Sequence, residues 1–234
     1  MTTDGFLLID KPAGWTSHDV VAKVRGVTRV KKVGHGGTLD PMATGLLVLG
    51  FGKATKQLER FVQGDKTYVA EAALGATSDT DDAEGTVTPA KQPERPTEAE
   101  VETALESFRG NLQQLPPVYS AIKTNGRKAY AEARKGRTVE RKPRSVTVHE
   151  MALLGYRWPT VRFRCRVSKG TYVRSIARDL GEKLGTGGYL SALRREAIGS
   201  LRVEEAVSIG AVTGQSWYGL VIPSDDGMMD SNIA

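Results

Sequence analysis

Residues 34–50, GHGGTLDPMATGLLVLG, place one carboxylate, Asp40, between a glycine-rich loop and an apolar run. The glycines lack a Cβ, so the backbone there can approach a ligand closely. The apolar run at 46–49 predicts a buried strand that would anchor the loop. A carboxylate held in such a place is partly desolvated, which makes it a better nucleophile or base. Asp40 is therefore a candidate catalytic acid, although Asp before Pro also opens ordinary turns.

Arg174 and two tyrosines could complete a site around such an acid. Arg174 falls in the first turn of a helix predicted to begin near Thr171. The helix dipole disfavours a cation there by a few tenths to ~1 kcal/mol, which indicates a compensating anion. That anion could be a phosphate or Asp40 itself. Tyr68 and Tyr172 are flanked by polar residues and are candidates either for strand cores or for stacking on a flipped base.

Several other motifs do not fit the chemistry that they suggest. The aspartates at 79–82 resemble a calcium loop, but the sixth position is Glu84, where the turn requires glycine. GFGKAT at 50–55 lacks the first glycine of a phosphate loop, because position 47 is leucine. The scattered histidines and one cysteine make no zinc pattern, and no G-x-S-x-G elbow is present. We therefore expect no metal and no cofactor.

The composition narrows the class of protein. The 234 residues include 33 Lys and Arg against 27 Asp and Glu, a net charge of +6 that suits either a polyanionic partner or ordinary solubility. Cys165 shares a period-two pattern with Phe163 and Val167, which predicts a packed core thiol. FLLI at 6–9 is too short for a signal peptide, and no apolar run reaches the ~20 residues of a membrane span. A cytoplasmic protein without a membrane partner is expected.

The elements around the candidate acid mix helices and strands. Ser17 is a good N-cap for a helix whose valines recur at helical spacing. Thr97 to Glu100 is a capping box for a helix through Phe108. The remaining predictions are a helix at 52–63, a polar loop at 75–96, paired strands at 144–156 and 160–168, and a helix at 170–185. This order predicts an α+β fold with a mixed, largely antiparallel sheet.

Residues 123–144 form a basic stretch, with nine Lys and Arg against two Glu. Tyr130 is interleaved among them. Arg127 and Lys128 in this stretch are candidate phosphate contacts for a nucleic acid. The alternative is a solvated charged loop.

Several segments together resemble one family. GHGGTLDPMATGLLVLGFGKATK is closely similar to the nucleophile motif of the bacterial tRNA pseudouridine synthase B (TruB) family, which shares ancestry with dyskerin. The family's other motifs are present in the family's order. IDKPAGWTSHDVV comes before this motif, and KTYVAEAALG, PPVYSAIKTNGRKAY, GTYVRSIARDLG and YLSALRRE come after it. Together these segments cover most of residues 5–200.

The resemblance implies roles for individual residues. Asp40 matches the catalytic aspartate, Arg174 the arginine that pairs with it, and Tyr68 the tyrosine that stacks on the target base. His35 matches a histidine that wedges into the folded T-arm and helps displace the target uridine. The resemblance also implies positions in or near the pocket for Leu193, Tyr172 and Lys11.

The resemblance further implies a fold and a reaction. The fold would be the pseudouridine synthase fold, a mixed, mostly antiparallel sheet with a central catalytic cleft and flanking helices. The reaction would be the isomerisation of uridine to pseudouridine at position 55 in the T-loop of tRNA, with base flipping and an aspartate nucleophile. Whether Asp40 attacks C1′ or C6 of the uridine, or only assists departure of the base, stays open.

The expected organisation is a catalytic domain at 1–222 and a short tail at 223–234, without a complete C-terminal RNA-binding (PUA) domain. We expect a monomer that acts on the T-arm without guide RNA. Two alternatives remain: a non-enzymatic RNA-binding or tRNA-folding protein on the same scaffold, and a guide-dependent enzyme like dyskerin. The chain lacks the lysine-rich tails and the extra domain that would favour the second.

Overall fold

The chain forms two compact units, and each boundary between them falls inside a strand. The computed structural model describes residues 4–119, 123–124, 127–128 and 141–224, with only the backbone at 123–124 and 127–128. Unit 1 holds the described residues up to Tyr68 and from Leu193 onward, and unit 2 holds those from Val69 to Ala192. Beyond Ser224, the expected tail lies outside the described residues.

The described residues form four α-helices. They are α1 (Ser17–Thr28), α2 (Leu58–Gln63), α3 (Glu98–Glu106) and α4 (Val173–Lys183). Short 3-10 helices occur at Gly52–Gln57, Val203–Glu205, Ile209–Ala211 and Trp217–Leu220. The helix predicted at 52–63 therefore begins as a 3-10 helix and becomes α-helical at Leu58.

The strands follow the chain from the first described residues to the last. They are β1 (Gly5–Lys11), β2 (Val33–His35), β3 (Thr44–Phe51), β4 (Lys66–Leu74), β5 (Ala76–Ser78), β6 (Val87–Pro89), β7 (Gly110–Gln114), β8 (Lys123–Thr124), β9 (Arg127–Lys128), β10 (Arg144–Arg157), β11 (Thr160–Val167), β12 (Gly188–Ile198), β13 (Leu201–Arg202), β14 (Val207–Ser208) and β15 (Ile222–Pro223). Strands β5 and β6 form a short hairpin inside the segment predicted as a loop.

The N-terminus of α1 corrects one prediction. Thr16, not Ser17, is the N-cap, because its hydroxyl accepts the backbone N–H of Asp19 while the Asp19 carboxylate accepts the backbone N–H of Thr16. A reciprocal capping box of this kind satisfies two helix-end donors at once, which a serine one residue later cannot do. The Ser17 hydroxyl is thereby left for a contact elsewhere. The predicted capping box of α3, Thr97 with Glu100, is confirmed.

Strand β3 is the centre of the sheet in unit 1. It pairs antiparallel with β1 from Gly5↔Phe51 to Lys11↔Gly45. On its other edge it pairs antiparallel with β2 and parallel with Arg194 and Arg195 of β12. Residues of β3 from Gly45 onward are buried on both faces, as the continuous apolar run predicted.

One side of this sheet packs on α2 and the preceding 3-10 turn. Phe6 and Phe61 meet edge to face, with ring centroids 5.1 Å apart, inside a buried apolar cluster. The cluster also includes Leu46 and Val48 of β3. The intervening residues Leu47 and Leu49 are also buried, and alternation along a strand places them on the opposite face.

Unit 2 contains the strand order β4–β11–β10–β7. Strand β10 is antiparallel to both β11 and β7, which confirms the predicted strand pair and the mostly antiparallel sheet. Along β11, Phe163, Cys165 and Val167 are buried, so Cys165 is the core thiol that the pattern predicted. Burial raises the pKa of this thiol to about 12, which keeps it protonated.

Gly45→Ala tests the close approach of β3 to β12. Gly45 has φ +101°, and a Cβ there would overlap the backbone of Arg195. Gly110→Ala is a matched control, because Gly110 has φ +94° but a Cβ there meets no atom within 4 Å. Both variants carry left-handed strain, so we expect Gly45→Ala to lower the free energy of unfolding by about 1–3 kcal/mol more than Gly110→Ala does. Urea unfolding measures both values, and equal losses would contradict the close approach.

Candidate active site

Asp40 lies on the loop between β2 and β3 of unit 1, with its side chain partly exposed. The backbone on either side of it is fixed from the start of α1. Leu39 donates its backbone N–H to Ser17 Oγ at 2.9 Å, and Ser17 Oγ donates back to the Leu39 carbonyl at 3.3 Å. The Pro41 carbonyl accepts the backbone N–H of Gly14 at 2.8 Å. The carboxylate is therefore presented from an anchored backbone.

Lys11 also contacts the loop that contains Asp40. Its side chain is fully buried, and Nζ donates to the carbonyls of Pro12 at 2.9 Å, Trp15 at 2.6 Å and Pro41 at 3.2 Å. A buried ammonium is costly unless its protons are hydrogen-bonded, and these three contacts supply acceptors for them. The structure thus places Lys11 next to the Asp40 loop; its expected part in RNA binding stays a prediction.

Arg195 ties the glycine-rich segment to β3. This guanidinium is 1% exposed, and it donates from Nε to the Leu46 carbonyl at 2.7 Å and from Nη2 to the Gly37 carbonyl at 3.2 Å. Gly37 has φ +103°, a conformation that glycine adopts without strain. Arg195 therefore fixes the loop three residues before Asp40. Sequence reasoning missed it, because nothing local marks one arginine of LRRE as buried.

His35 ends β2 and is partly buried. Its ring meets that of His18 edge to face, with centroids 5.4 Å apart. Burial lowers the pKa of His35, and the neighbouring His18 and Arg195 lower it further, against an opposing hydrogen bond to the Gly37 backbone. Near neutral pH the ring is therefore uncharged.

Arg174 lies in the first turn of α4, in unit 2, as predicted. It is 6% exposed, and its Nη1 lies 3.1 Å from Asp82 Oδ2. Nη1 also donates to the Thr80 carbonyl at 3.3 Å and Nη2 to the Tyr119 carbonyl at 3.0 Å. The anion that compensates the cation within unit 2 is thus Asp82. The ion pair expected between Arg174 and Asp40 stays a prediction.

Asp82 is the partner of Arg174 that sequence reasoning passed over with the rejected calcium motif. It is 2% exposed, and its Oδ1 accepts from Thr80 Oγ1 at 2.6 Å and from the Glu84 backbone N–H at 3.0 Å. The alternation of hydroxyls and acids in SDTDD was the available signal, because such residues order turns through local side-chain bonds. The loop therefore presents Asp82 in a fixed orientation.

A second ion pair follows one helical turn further along α4. Arg178 Nη1 lies 2.8 Å from Asp81 Oδ2, and Nη2 donates to the Leu115 carbonyl at 3.1 Å. Burial raises the pKa of Asp81, although the charge of Arg178 opposes this shift. Two consecutive aspartates of one loop thus hold two arginines on one face of α4, because residues i and i+4 lie on the same side of a helix.

The remaining predicted residues lie in both units. In unit 1, Tyr68 on β4 is partly buried and Leu193 on β12 is 9% exposed. In unit 2, Tyr172 occupies the N-cap position of α4, and its backbone is bonded to the side chain of Gln114. Arg127 and Lys128 form β9, which pairs with β8, and their side chains lie outside the described residues.

Comparison with known proteins identifies the family. A family model described as TruB family pseudouridylate synthase (N-terminal domain) matches residues 25–173. The chain belongs to this family. The tRNA pseudouridine synthase B of Thermobifida fusca is 46% identical over 91% of this chain and 75% of that protein. Those of Burkholderia lata and Opitutus terrae are 48% and 46% identical over 90% and 89% of this chain, which is 65% and 87% of their own length.

Solved structures agree with the family. The matching chain in the crystal structure of a Cbf5–Nop10–Gar1 complex is 30% identical, with a TM-score of 0.71 over 88% of this chain and 53% of that one. The matching chain of an archaeal box H/ACA sRNP Nop10–Cbf5 complex is 26% identical, with a TM-score of 0.68 over 92% and 53%. The chain thus spans about half of each. These similarities confirm the prediction that the chain has the pseudouridine synthase fold.

Two kinds of feature are not found in the described part of the chain. None of its helices has the length and apolar character needed to cross a membrane. Across the same residues, no three or more His, Cys, Asp and Glu side chains cluster in a way that could hold a metal ion.

Asp82→Asn tests the buried ion pair of Arg174. The change keeps the shape of the side chain but leaves a buried guanidinium without its carboxylate, so we expect the free energy of unfolding to fall by about 3–5 kcal/mol. The control is Glu150→Gln, which breaks the exposed pair with Arg166 at 2.9 Å and is expected to cost at most about 1 kcal/mol. Urea unfolding compares the two. Similar small losses would show that Arg174 does not depend on Asp82.

Proposed function

We propose that this chain isomerises uridine to pseudouridine at position 55 in the T-loop of tRNA. The observation that carries the proposal is the placement of Asp40. Its neighbours Leu39 and Pro41 are held by Ser17, Gly14 and Lys11, while the carboxylate remains partly exposed. An anchored acid can be held at one position relative to a bound substrate. The names of the TruB relatives supply the substrate class, tRNA.

The reaction rearranges bonds within one nucleotide. The bond from N1 of the uracil to C1′ of the ribose breaks, the ring turns, and C5 bonds to the same C1′. C5 loses its proton and N1 gains one, so the atoms balance without an oxidant, a reductant or a transferred group. In this proposal the ionised carboxylate of Asp40 is the nucleophile, and attack at C1′ and attack at C6 both use that form.

The target base must leave the stack of the T-loop before Asp40 can reach it, at a cost of a few kcal/mol. We assign part of the free energy that offsets this unstacking cost to His35. Its ring is uncharged near neutral pH because burial lowers its pKa. A neutral ring can enter a stack of bases without the cost of desolvating a charge. Tyr68 would then stack on the displaced uracil, with Leu193 and Tyr172 lining the pocket.

Arg174 is assigned to hold Asp40 in its ionised form, since a nearby cation lowers the pKa of a carboxyl group. The contacts of Arg174 with Asp82, Thr80 and Tyr119 support this assignment, because they fix the guanidinium before substrate binds. A cytoplasmic location, a monomeric state, independence from guide RNA and catalysis by residues 1–222 remain parts of the proposal.

Asp40→Asn tests the proposed nucleophile. We expect release of tritium from C5-labelled uridine in tRNA to fall on the order of a thousandfold or more, because the amide cannot act as the nucleophile. The matched control is Asp4→Asn in unit 1, where Asp4 accepts the backbone N–H of Lys53 at 2.7 Å. It is expected to keep wild-type turnover.

The same assay, run on a bare T-arm hairpin without guide RNA, separates the alternatives. Turnover there supports a stand-alone enzyme, whereas turnover only with added guide RNA indicates a guide-dependent one. Wild-type protein that binds tRNA but releases no tritium would favour an RNA-binding or tRNA-folding protein. Unchanged turnover in folded Asp40→Asn protein would remove Asp40 from the mechanism.

The basic stretch is tested by salt dependence. Replacing Arg127, Lys128, Arg134 and Lys135 with alanine should weaken tRNA binding. It should also flatten the plot of log affinity against log salt by roughly 0.7–0.9 for each phosphate that the variant no longer neutralises. The control replaces four exposed basic residues of unit 2 that lie outside the stretch: Lys91, Arg157, Arg162 and Lys183. The two variants have the same net charge, so equal slopes would show that the stretch makes no specific phosphate contacts.

A further inference from the structure

Gln114 is the last residue of β7, and both the oxygen and the nitrogen of its buried side-chain amide form hydrogen bonds. The side chain is 4% exposed. Its Oε1 accepts the backbone N–H of Tyr172 at 2.8 Å, and its Nε2 donates to the backbone carbonyl of the same residue at 3.0 Å. One planar amide thus bonds to both peptide groups that flank a single residue, which fixes their position and their orientation.

The residue held in this way begins the helix that carries Arg174. Tyr172 occupies the N-cap position of α4, and its own side chain makes no capping hydrogen bond. The first N–H groups of a helix have no partner inside the helix. Gln114 therefore fixes the backbone at the point where α4 starts, two residues before Arg174.

The segment after Gln114 runs beside the first turns of α4. The Leu115 carbonyl accepts from Ser175 Oγ at 2.9 Å and from Arg178 Nη2 at 3.1 Å. The Tyr119 carbonyl accepts from Arg174 Nη2 at 3.0 Å. These bonds place the segment, and the Gln114 side chain bonds to the backbone of Tyr172, the N-cap residue of α4.

We propose that Gln114 is a positioning residue for Tyr172 and Arg174 in the isomerisation, an inference that rests on the proposed function. The position requires a neutral side chain with one donor and one acceptor, because it faces one N–H and one carbonyl. An ionised carboxylate accepts only, so it repels the Tyr172 carbonyl. A protonated carboxyl group again offers one donor and one acceptor.

Gln114→Glu turns this requirement into a pH-dependent measurement. At the alkaline end of the pH range, where the introduced carboxyl group is ionised, we expect the single-turnover rate to fall about tenfold or more while tRNA affinity stays within about twofold of wild type. As the pH is lowered and the group is protonated, the ratio of the variant's rate to the wild-type rate should rise toward one. Gln113→Glu makes the same change one residue earlier, on an exposed side chain that donates to Ser145 Oγ, and should show no such rise.

A second measurement does not need turnover. Hydrogen exchange of the backbone amides at 172–176 should be faster in Gln114→Glu than in wild type at a pH where the introduced group is ionised, and unchanged in Gln113→Glu. The reason is that the Tyr172 carbonyl loses the Gln114 donor and keeps the N–H groups of Ser175 and Ile176. If wild-type protein forms no pseudouridine, the proposed function fails, and this exchange still decides whether Gln114 holds the start of α4. Exchange equal to that of wild type would overturn the positioning role.

Gln114→Met provides a second test in case the introduced carboxylate prevents the Gln114→Glu protein from folding. Methionine has a similar length and removes both hydrogen bonds without burying a charge. We expect the folded variant to lose turnover about tenfold at every pH, with tRNA affinity near that of wild type. Wild-type turnover in folded Gln114→Met protein, or a rate loss in Gln114→Glu that does not recover on acidification, would overturn the proposal.

Discussion

Buried cations must have acceptors for their protons, and this constraint shapes both units. In unit 1 the buried Lys11 and Arg195 direct protons to backbone carbonyls of loops. In unit 2 the buried Arg174 combines a carboxylate, Asp82, with two carbonyls. Each of these groups would cost several kcal/mol if it were buried without partners. The loops that supply the partners are therefore tied to the core that buries the charges.

This dependence explains how irregular backbone can hold Asp40 and Asp82 in place. The Asp40 loop has few of the regular hydrogen bonds that hold a strand, so its carbonyls are free to accept from Lys11 and from Arg195. The loop with Asp82 is ordered by its own hydroxyls and closed by Gly85, where a Cβ would overlap the Asp79 carboxylate. In the proposed reaction, side chains held in this way would need little rearrangement when substrate binds, which is the condition for electrostatic stabilisation of a transition state.

Local patterns in the sequence predicted what local forces determine. The apolar period gave β3 and the β10–β11 pair, the spacing of Thr97 and Glu100 gave the start of α3, and alternation gave the burial of Cys165. The prediction of Ser17 as the N-cap of α1 was wrong, because Thr16 forms a capping box with Asp19, three residues later, and Ser17 instead bonds to Leu39. Long-range pairs had no local signal: Arg174 and Asp82 lie 92 residues apart. The glycine-rich loop and the apolar run made Asp40 a candidate catalytic acid, but only the family resemblance favoured that role over an ordinary turn.

The electrostatics of α4 show why a neutral amide suits the Gln114 position. The first turn of this helix contains Arg174 and no acid, although a helix N-terminus ordinarily favours negative charge. Asp82 balances the guanidinium, which leaves the positive end of the helix dipole without a charged cap. A carboxylate at the N-cap would cancel that field. A neutral amide at position 114 orients the same backbone without adding a charge at the start of α4.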